Sequence, residues 1–297
     1  MTNRKRIEGI QGYLFLSPAL IIFFIFTVLA ILFIIFLSFT KFNILNWNMV
    51  FVGFQNYIRA FTDPRFHIAL FNVLKYAVVV VPIQTLFALL MAIALNAKIK
   101  FPTVFRTIFF LPTLTSSAAL TIIFMFLFSV NGSLNQILLN LHILKEPISF
   151  LTNTKFTLVV IMVMNIWSTI PMYATIYIAG LKDISNEIYE AAEIDGANGF
   201  KKFIYLIVPI IAPITVFVVL TGTVGCLQLF DQAYIFSQGS GGPANSTLTV
   251  TLAIYQYAFQ IPGSMGYASA LAVILAMVIF AFALLTRKWQ GQGGESS

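Results

Sequence analysis

The sequence predicts an all-α membrane protein with six transmembrane helices and with both the N- and the C-terminus cytoplasmic. Three observations carry that prediction. Of 297 residues, 59% are hydrophobic and 9% charged, whereas soluble globular chains carry roughly 25% charged residues. Mean hydropathy is +0.93, with 31 phenylalanines. Apolar runs of about 20 residues, enough to cross ~30 Å of hydrocarbon as helices, recur along the chain. The alternating ten-residue pattern of a membrane barrel is not seen.

The first span, Tyr13–Ser38, follows Arg4, Lys5 and Arg6. It is too long for the apolar region of a cleaved leader and no small-residue cleavage pattern closes it, so it is read as a retained span. The outer loop from Thr40 to Leu70 holds Phe54, Tyr57, Ile58 and Phe61 at spacings of three and four. That spacing fits a short amphipathic helix at the membrane interface, or equally an interfacial belt of aromatics. The second span, Phe71–Leu95, leads through a short loop, Asn96 to Pro102, into the third, Phe105–Val130. A surface hairpin or short helix is expected between Asn131 and Thr154, before the fourth span, Thr157–Leu181. The fifth span is Pro209–Tyr234 and the sixth Tyr267–Thr286; the outer loop between them, Ser237 to Gly263, opens with the turn-rich SQGSGGP. The chain thus divides into a cytoplasmic N-terminus (1–12), a first helix with its outer loop (13–69), a five-helix core (70–286) and a cytoplasmic tail (287–297).

Orientation rests on the basic residues of the loops. With both ends inside, Arg4, Lys5, Arg6, Lys98, Lys100, Arg106, Lys182, Lys201, Lys202, Arg287 and Lys288 are cytoplasmic. Lys41, Arg59, Arg65, Lys75, Lys145 and Lys155 are then outside. The net charge of +7 is mostly this orientation signal. The basic residues form no long face or stripe, so a nucleic-acid reading is weak and no nucleic-acid partner is expected. The single cysteine, Cys226, excludes an internal disulfide. The two histidines, His67 and His142, have no cysteine or carboxylate at ligand spacing, so no metal site is expected.

Polar side chains inside the spans gather in three places. Thr113, Thr115, Ser116 and Ser117 follow Pro112. Asn165, Trp167, Ser168 and Thr169 precede Pro171 and Met172. Thr221, Thr223 and Gln228 are interspersed with Gly222, Gly225 and Cys226. Hydroxyls and amides without charge suit a neutral, hydroxyl-rich ligand, and Trp167 could stack on a sugar face. The Ser, Thr and Gly residues equally suit close helix packing. Asn165 stands apart, because a mid-span amide asks for a partner. Pro82, Pro112, Pro171 and Pro213 are expected to interrupt helices, which membrane proteins tolerate where the break lines a cavity or is buried in protein. Asp231, alone near the outer end of the fifth span, makes a poor proton relay.

One cytoplasmic loop, 185–206, is a charged, helix-forming island. Ser185 can act as N-cap with Glu187 in the first turn. The helix runs through Glu190, Ala191 and Ala192 to Gly196, a suitable residue for a left-handed stop. Asn198 can cap a second helix, carrying Phe200 and Phe203, that flows into Pro209. The paired alanines leave one helix face thin enough for a groove, and Glu190, Glu193 and Asp195 supply charge for a partner.

The stretch EAAEIDGANGFKKF, with Gly196 six residues after Glu190 and Pro209 thirteen further on, resembles the EAA motif of permease subunits of binding-protein-dependent ABC importers. FVGFQNYIRAFTDPRFHIALFNVLKY, FRTIFFLPTLTSSAAL, NIWSTIPMYATIYIAGLKDISNEIYEAAEIDGA and QLFDQAYIFSQGSGGP extend the likeness over residues 13–288, toward the sugar-permease branch related to the larger maltose permease subunit. The chain departs from that subunit in lacking its large periplasmic insertion and extra N-terminal spans, and SQGSGGP is longer than the usual Thr-x-Gly-Gly-Pro turn.

The resemblance implies the type I ABC importer permease fold and a place in the cytoplasmic (inner) membrane. The partners it implies are a second homologous permease subunit, an ATP-binding subunit dimer, an extracytoplasmic solute-binding protein, a carbohydrate substrate and the lipid bilayer. ATP and Mg would be bound by the partner ATPase, with no cofactor in this chain; no G-x-x-x-x-G-K-[ST] phosphate loop occurs in the sequence. Coupling to the ATPase would fall to Glu190, Ala191, Ala192, Asp195 and Gly196, with Asp195 fixing the turn. The substrate path would be lined by Thr113, Ser117, Asn165, Ser168, Thr169, Met172, Gly225, Cys226 and Leu229. A secondary transporter or channel for a small neutral solute is the alternative. It calls for ionisable groups within the spans and inverted repeats, and the sequence offers almost none of the former and no evident repeat. A membrane enzyme would need a catalytic constellation that the sequence does not supply.

Overall fold

In a computed structural model the described residues are 3–43, 47–96 and 102–293. Lys98, Lys100 and most of the loop from Asn96 to Pro102 lie outside them. The chain divides into two compact units, residues 1–63 with 254–274, and residues 64–253 with 275–297.

In the first unit α1 (Asn3–Phe23), a π-helical turn (Phe24–Val28) and α2 (Leu29–Ser38) carry the first span. Between Tyr13 and Ser38 its most apolar 18-residue window is only 6% buried, the pattern of a helix apolar on all sides and suited to a membrane span. A two-stranded antiparallel hairpin follows, β1 (Thr40–Asn43) against β2 (Asn48–Phe51), with Thr40 opposite Phe51. Sequence reasoning did not foresee it, because four-residue strands leave too little periodicity to detect. The expected amphipathic helix is α3 (Gln55–Thr62), with Phe54, Ile58 and Phe61 exposed. Its other side is tied down: Asn56 Nδ2 donates to the carbonyls of Ser38 (2.9 Å) and Thr40 (2.8 Å), and the Tyr57 and Ser38 hydroxyls are 2.6 Å apart. Asp63 accepts from the hydroxyls of Tyr257 and Tyr267, both at 2.8 Å. The Arg59 guanidinium lies 4.1 Å from the centre of the Tyr267 ring, a cation–π contact.

The second unit is built on α4 (Pro64–Asn96), α5 (Pro102–Leu114), α6 (Ser117–Leu127), α7 (Ser133–Asn140), α8 (Thr157–Lys182), α9 (Asn186–Ile194), α10 (Gly199–Lys202), α11 (Val208–Ile210), α12 (Ala212–Leu227) and α13 (Asp231–Phe236). A π-helical turn, Phe203–Ile207, joins α10 to α11. Two further helices, α14 (Val250–Tyr255) and α15 (Met265–Gly293), have residues in both units. The core is the α4–α8 pair with α12 against it. Small residues bring the backbones together: Ala88, Ala92 and Ala174 are fully buried, and a Cβ on Gly180 would collide with the Ile214 side chain. Tyr177, Leu181 and Ile211 fill the remaining space.

Among the described residues five helical stretches are long and apolar enough to span a membrane, six if a bent pair counts as one broken span. The bent pair is the third predicted span, which is not continuous: α5 and α6 meet at 103°. The second span starts earlier than expected, at Pro64, and the fifth breaks between Leu227 and Asp231. The prolines behave unequally. Pro82 and Pro171 sit inside unbroken α4 and α8 and Pro213 is in the first turn of α12. Of these four, Pro112 alone precedes a break, where the Thr113 and Thr115 hydroxyls donate to the Phe110 and Leu111 carbonyls and the Thr115 N–H to the Pro112 carbonyl.

Asn72 on α4 is buried and donates from Nδ2 to the carbonyls of Asn245 (2.8 Å) and Leu248 (3.0 Å). Asn72→Leu leaves those acceptors without this donor and is expected to cost about 1–3 kcal/mol. The check is a lower midpoint in thermal unfolding of the detergent-solubilised protein.

Candidate functional site

The island after α8 is closed by backbone geometry. Gly196 takes φ +74°, its N–H donates to the Glu193 carbonyl at 3.0 Å, and the Ala197 N–H donates to the Ala192 carbonyl at 2.9 Å. This pair is the Schellman stop that glycine permits. The Asp195 carboxylate, expected to fix the turn, makes no hydrogen bond among the described residues; its main-chain N–H bonds the Ala191 carbonyl instead. Ser185 occupies the N-cap position of α9, but its side chain makes no capping bond. Asn198 does cap, its Oδ1 accepting from the Lys201 N–H at 2.9 Å. One contact was missed: Lys202 Nζ lies 2.6 Å from Glu193 Oε1, bridging α10 and α9 across the glycine turn. The Lys202 hydrogen bond and charge hold the Glu193 carboxyl below its ordinary pKa. Glu193 is exposed, so the pair sets geometry more than it adds stability.

Tyr189 and Phe203 anchor the island on the core. Its other face is open: Glu190, Ala191, Asp195 and Gly196 are exposed and Ala192 half-buried. Ile194 is 87% exposed and Phe200 71%. Charged and apolar groups thus share one unpartnered surface.

Two polar cavities lie in the helical core. The larger, about 210 Å³, is lined by Asn165, Thr169, Gly225, Cys226 and Leu229, together with Gln84, Tyr173, Gly222 and the segment from Gln228 to Gln232. The smaller, about 190 Å³, is lined by Thr113, Ser117, Ser168, Thr169 and Met172, with Thr115 and Gln232. All nine residues expected on a substrate path therefore meet one cavity or the other, and Thr169 and Gln232 line both. The helix break makes this possible. Ser116 caps α6, its Oγ accepting from the Ala119 N–H at 3.3 Å. The Thr113 and Thr115 hydroxyls donate to the Phe110 and Leu111 carbonyls. Ser117 Oγ then accepts from Gln232 Nε2 at 2.9 Å, joining α6 to α13.

Asn165 lines the larger cavity, and its side-chain amide makes no hydrogen bond among the described residues. A Cβ on Gly225 would meet nothing within 4 Å. Trp167 is not at either polar cavity. Its ring lies 5.8 Å from that of Phe124 and borders an apolar groove of about 730 Å³ with Phe87, Phe105 and Phe109, so stacking on a ligand in the polar cavities falls away. Sequence reasoning missed Gln84, Tyr173 and Gln232. The signal for Gln84 was available: a lone amide in the middle of α4, two residues after Pro82.

Residues 84–290 match the family described as binding-protein-dependent transport system inner membrane component. The chain is 36% identical over 285 residues to the lactose transport system permease protein LacF of Rhizobium radiobacter, covering 96% of this chain and 95% of that protein. It is 33% identical to the arabinooligosaccharides transport system permease protein AraP of Bacillus subtilis (strain 168), over 94% of this chain and 88% of that one. Among solved structures, a chain of a bacterial ABC transporter involved in the import of the acidic polysaccharide alginate superposes with a TM-score of 0.84. The identity is 19%, over 97% of this chain and 98% of that one. A chain from an alginate transporter in complex with an alginate pentasaccharide-bound periplasmic protein gives 0.82, again at 19% identity, over 95% of this chain and 94% of that one. These likenesses establish a shared fold.

Gly196→Val forces a β-branched residue into the left-handed region, at a cost of roughly 1–2 kcal/mol or more. The expected result is faster limited proteolysis between α9 and α10 with the membrane helices still protected. The Glu193–Lys202 pair is expected to persist from neutral pH down through the ordinary carboxylate range, and to open only as pH falls through the lowered pKa of Glu193. Limited proteolysis between α9 and α10 should therefore speed up only in that acid range, and Lys202→Met should remove the pH dependence.

Proposed function

The chain belongs to the family of binding-protein-dependent transport system inner membrane components, and from that premise we propose that it is one permease subunit of an ATP-driven carbohydrate importer. It is a multi-pass membrane protein and a permease rather than an enzyme. In this reading it lies in the cytoplasmic membrane and forms half of the path, with a second homologous permease subunit forming the other half. An extracytoplasmic binding protein delivers an oligosaccharide, and a dimer of ATP-binding subunits, holding ATP and Mg, supplies the energy.

The observation that carries the substrate class is the lining of the two cavities. Hydroxyls from Thr113, Ser117, Ser168 and Thr169 and the Asn165 amide meet there, and the one carboxylate, Asp231, is exposed at the rim. Such a lining offers neutral donors and acceptors at hydrogen-bonding range and suits a polyhydroxylated, uncharged ligand. The relatives named for lactose and arabinooligosaccharides support the same class.

Coupling is assigned to the exposed face of α9. The Ala191–Ala192 side admits close approach, Glu190 offers charge to a basic group on the ATPase, and Gly196 keeps the following turn low. Closure of the ATPase dimer would move α9, and the helices leading from it would shift the cavities between outward and inward access. ATP acts here by favouring one state over the other, so its binding must differ between them.

Affinity purification from mild detergent with an ATPase assay of the eluate tests this reading. Recovery of an ATPase that is lost in Glu190→Ala or Gly196→Val, with unchanged membrane insertion, is the expected result. A lone chain that transports in proteoliposomes without ATPase would instead establish a secondary carrier. Asn165→Ala is expected to change the sugar-uptake profile while ATPase recovery stays at the wild-type level; an unchanged profile across several sugars removes Asn165 from the path.

A further inference from the structure

Gln84 sits in the middle of α4 and is 1% exposed. Its Oε1 accepts from the Thr169 hydroxyl on α8 at 2.9 Å. Its Nε2 is buried and finds no hydrogen-bond partner among the described residues, although the side chain lines the larger polar cavity. A carboxamide has two ends, and an unpaired buried end costs about 1–3 kcal/mol. The Thr169 proton can go to Gln84 or to the Asn165 carbonyl at 2.8 Å, so the amide can also be turned with its NH₂ on Thr169. In either orientation one end is bound to α8 and the other is left for the cavity.

The surroundings keep that end available. Gly222 on α12 faces it, and a Cβ there would collide with Gln84 Nε2. Glycine at 222 therefore creates the space in which the amide reaches the cavity. A simple interhelical lock would account for the Thr169 bond alone; it gives no reason for the opposite end to be held unpaired beside a polar void. Tyr76, Thr85, Tyr177 and Ser246 also hold a buried side-chain oxygen without a partner among the described residues, but of these five side chains only Gln84 lines a polar cavity. An unpaired buried group calls for an explanation, and here the cavity supplies one.

We propose that Gln84 is a substrate-contacting residue of the translocation path, its free amide end hydrogen-bonding one hydroxyl of a carbohydrate unit held against Asn165 and Thr169. Gly222 is the positioning residue that leaves room for it. The proposal rests on the carbohydrate-importer reading and adds α4 to the helices that read the substrate.

The test uses the complete importer in proteoliposomes: this chain, the second permease subunit, the ATPase dimer and the binding protein. Lactose and arabinotriose serve as probes, each with its monodeoxy analogues. Comparing variant with wild type on the same sugar cancels the binding protein's own preference. Gln84→Met, which keeps the volume and removes both polar ends, is expected to lower uptake of the transported parent sugar about fivefold, the equivalent of ~1 kcal/mol for one net hydrogen bond. The analogue lacking the contacted hydroxyl should be carried by Gln84→Met at the wild-type rate. Gly222→Ala, which pushes the amide off the cavity, should give the same single-hydroxyl pattern. ATPase recovery checks assembly for both variants. An equal fall for every sugar, or none, overturns the contact and leaves Gln84 as a helix-packing residue, with the importer reading intact. Failure of the wild-type complex to carry either sugar overturns the carbohydrate reading, and the contact with it.

Discussion

A backbone carbonyl in hydrocarbon has no water to turn to, and leaving it unpaired costs several kcal/mol. The break between α5 and α6 would expose such groups at membrane depth, because α5 ends at Leu114 and its last carbonyls lose their helical donors. Thr113 and Thr115 donate to the Phe110 and Leu111 carbonyls, and Ser116 receives the Ala119 N–H at the start of α6. The hydroxyls after Pro112 thus bond the backbone on both sides of the break. With these bonds in place the chain can bend by 103° and bring Ser117 within reach of Gln232. The smaller cavity follows from that bend, since Thr113, Ser117 and Met172 line it together.

The same economy of small and polar groups explains why the cavities lie beside the tightest helix packing. Alanines and glycines along α4, α8 and α12 bring the backbones close, as apolar attraction alone cannot do between helices in lipid. Close approach at Gly180 and Ala174 serves the core. Gly222 and Gly225 on α12 do something different, one leaving room for Gln84 and the other facing open space. Glycines on α8 and α12 therefore serve both packing and cavity-forming positions, and only their neighbours tell them apart.

Much of this was legible in the sequence, for reasons that differ by element. Spans are read from runs of about 20 apolar residues because the bilayer imposes that length, and the turn at Gly196 follows from the left-handed stop. The nine residues expected on a path came from the family resemblance, five of them (Thr113, Ser117, Asn165, Ser168 and Thr169) also standing out as polar groups inside a span, and all nine line one of the two cavities. What escaped detection depended on partners distant in sequence. The Glu193–Lys202 bridge joins two helices, the surroundings of Gln84, though its mid-span amide is visible in the sequence, appear only once Thr169 and Gly222 are set beside it, and Trp167 could not be assigned a side until α6 was bent. Nor does proline alone signal a break: Pro82 and Pro171 leave their helices continuous, whereas Pro112 is followed at once by hydroxyls able to repair one.

The island and the larger cavity are joined by a single run of chain. Asn198 starts α10, the π-helical turn Phe203–Ile207 and α11 continue it, and α12 carries it to Gly225 and Cys226 in the cavity wall. About 28 helical residues reach ~40 Å at 1.5 Å per residue, long enough to carry a displacement from the membrane surface well into the core. The run is not uniform. A π-helical turn is a common functional irregularity, and the helix is re-started at Ala212 after the non-helical Ile211. Between those points Ile207 and Ile211 are buried against α4 and α8, so a displacement entering at α9 meets a packed fulcrum before it reaches Gly222. On the proposed reading, the coupling surface and the cavity would be separated in space but connected through opposite ends of one run of helix.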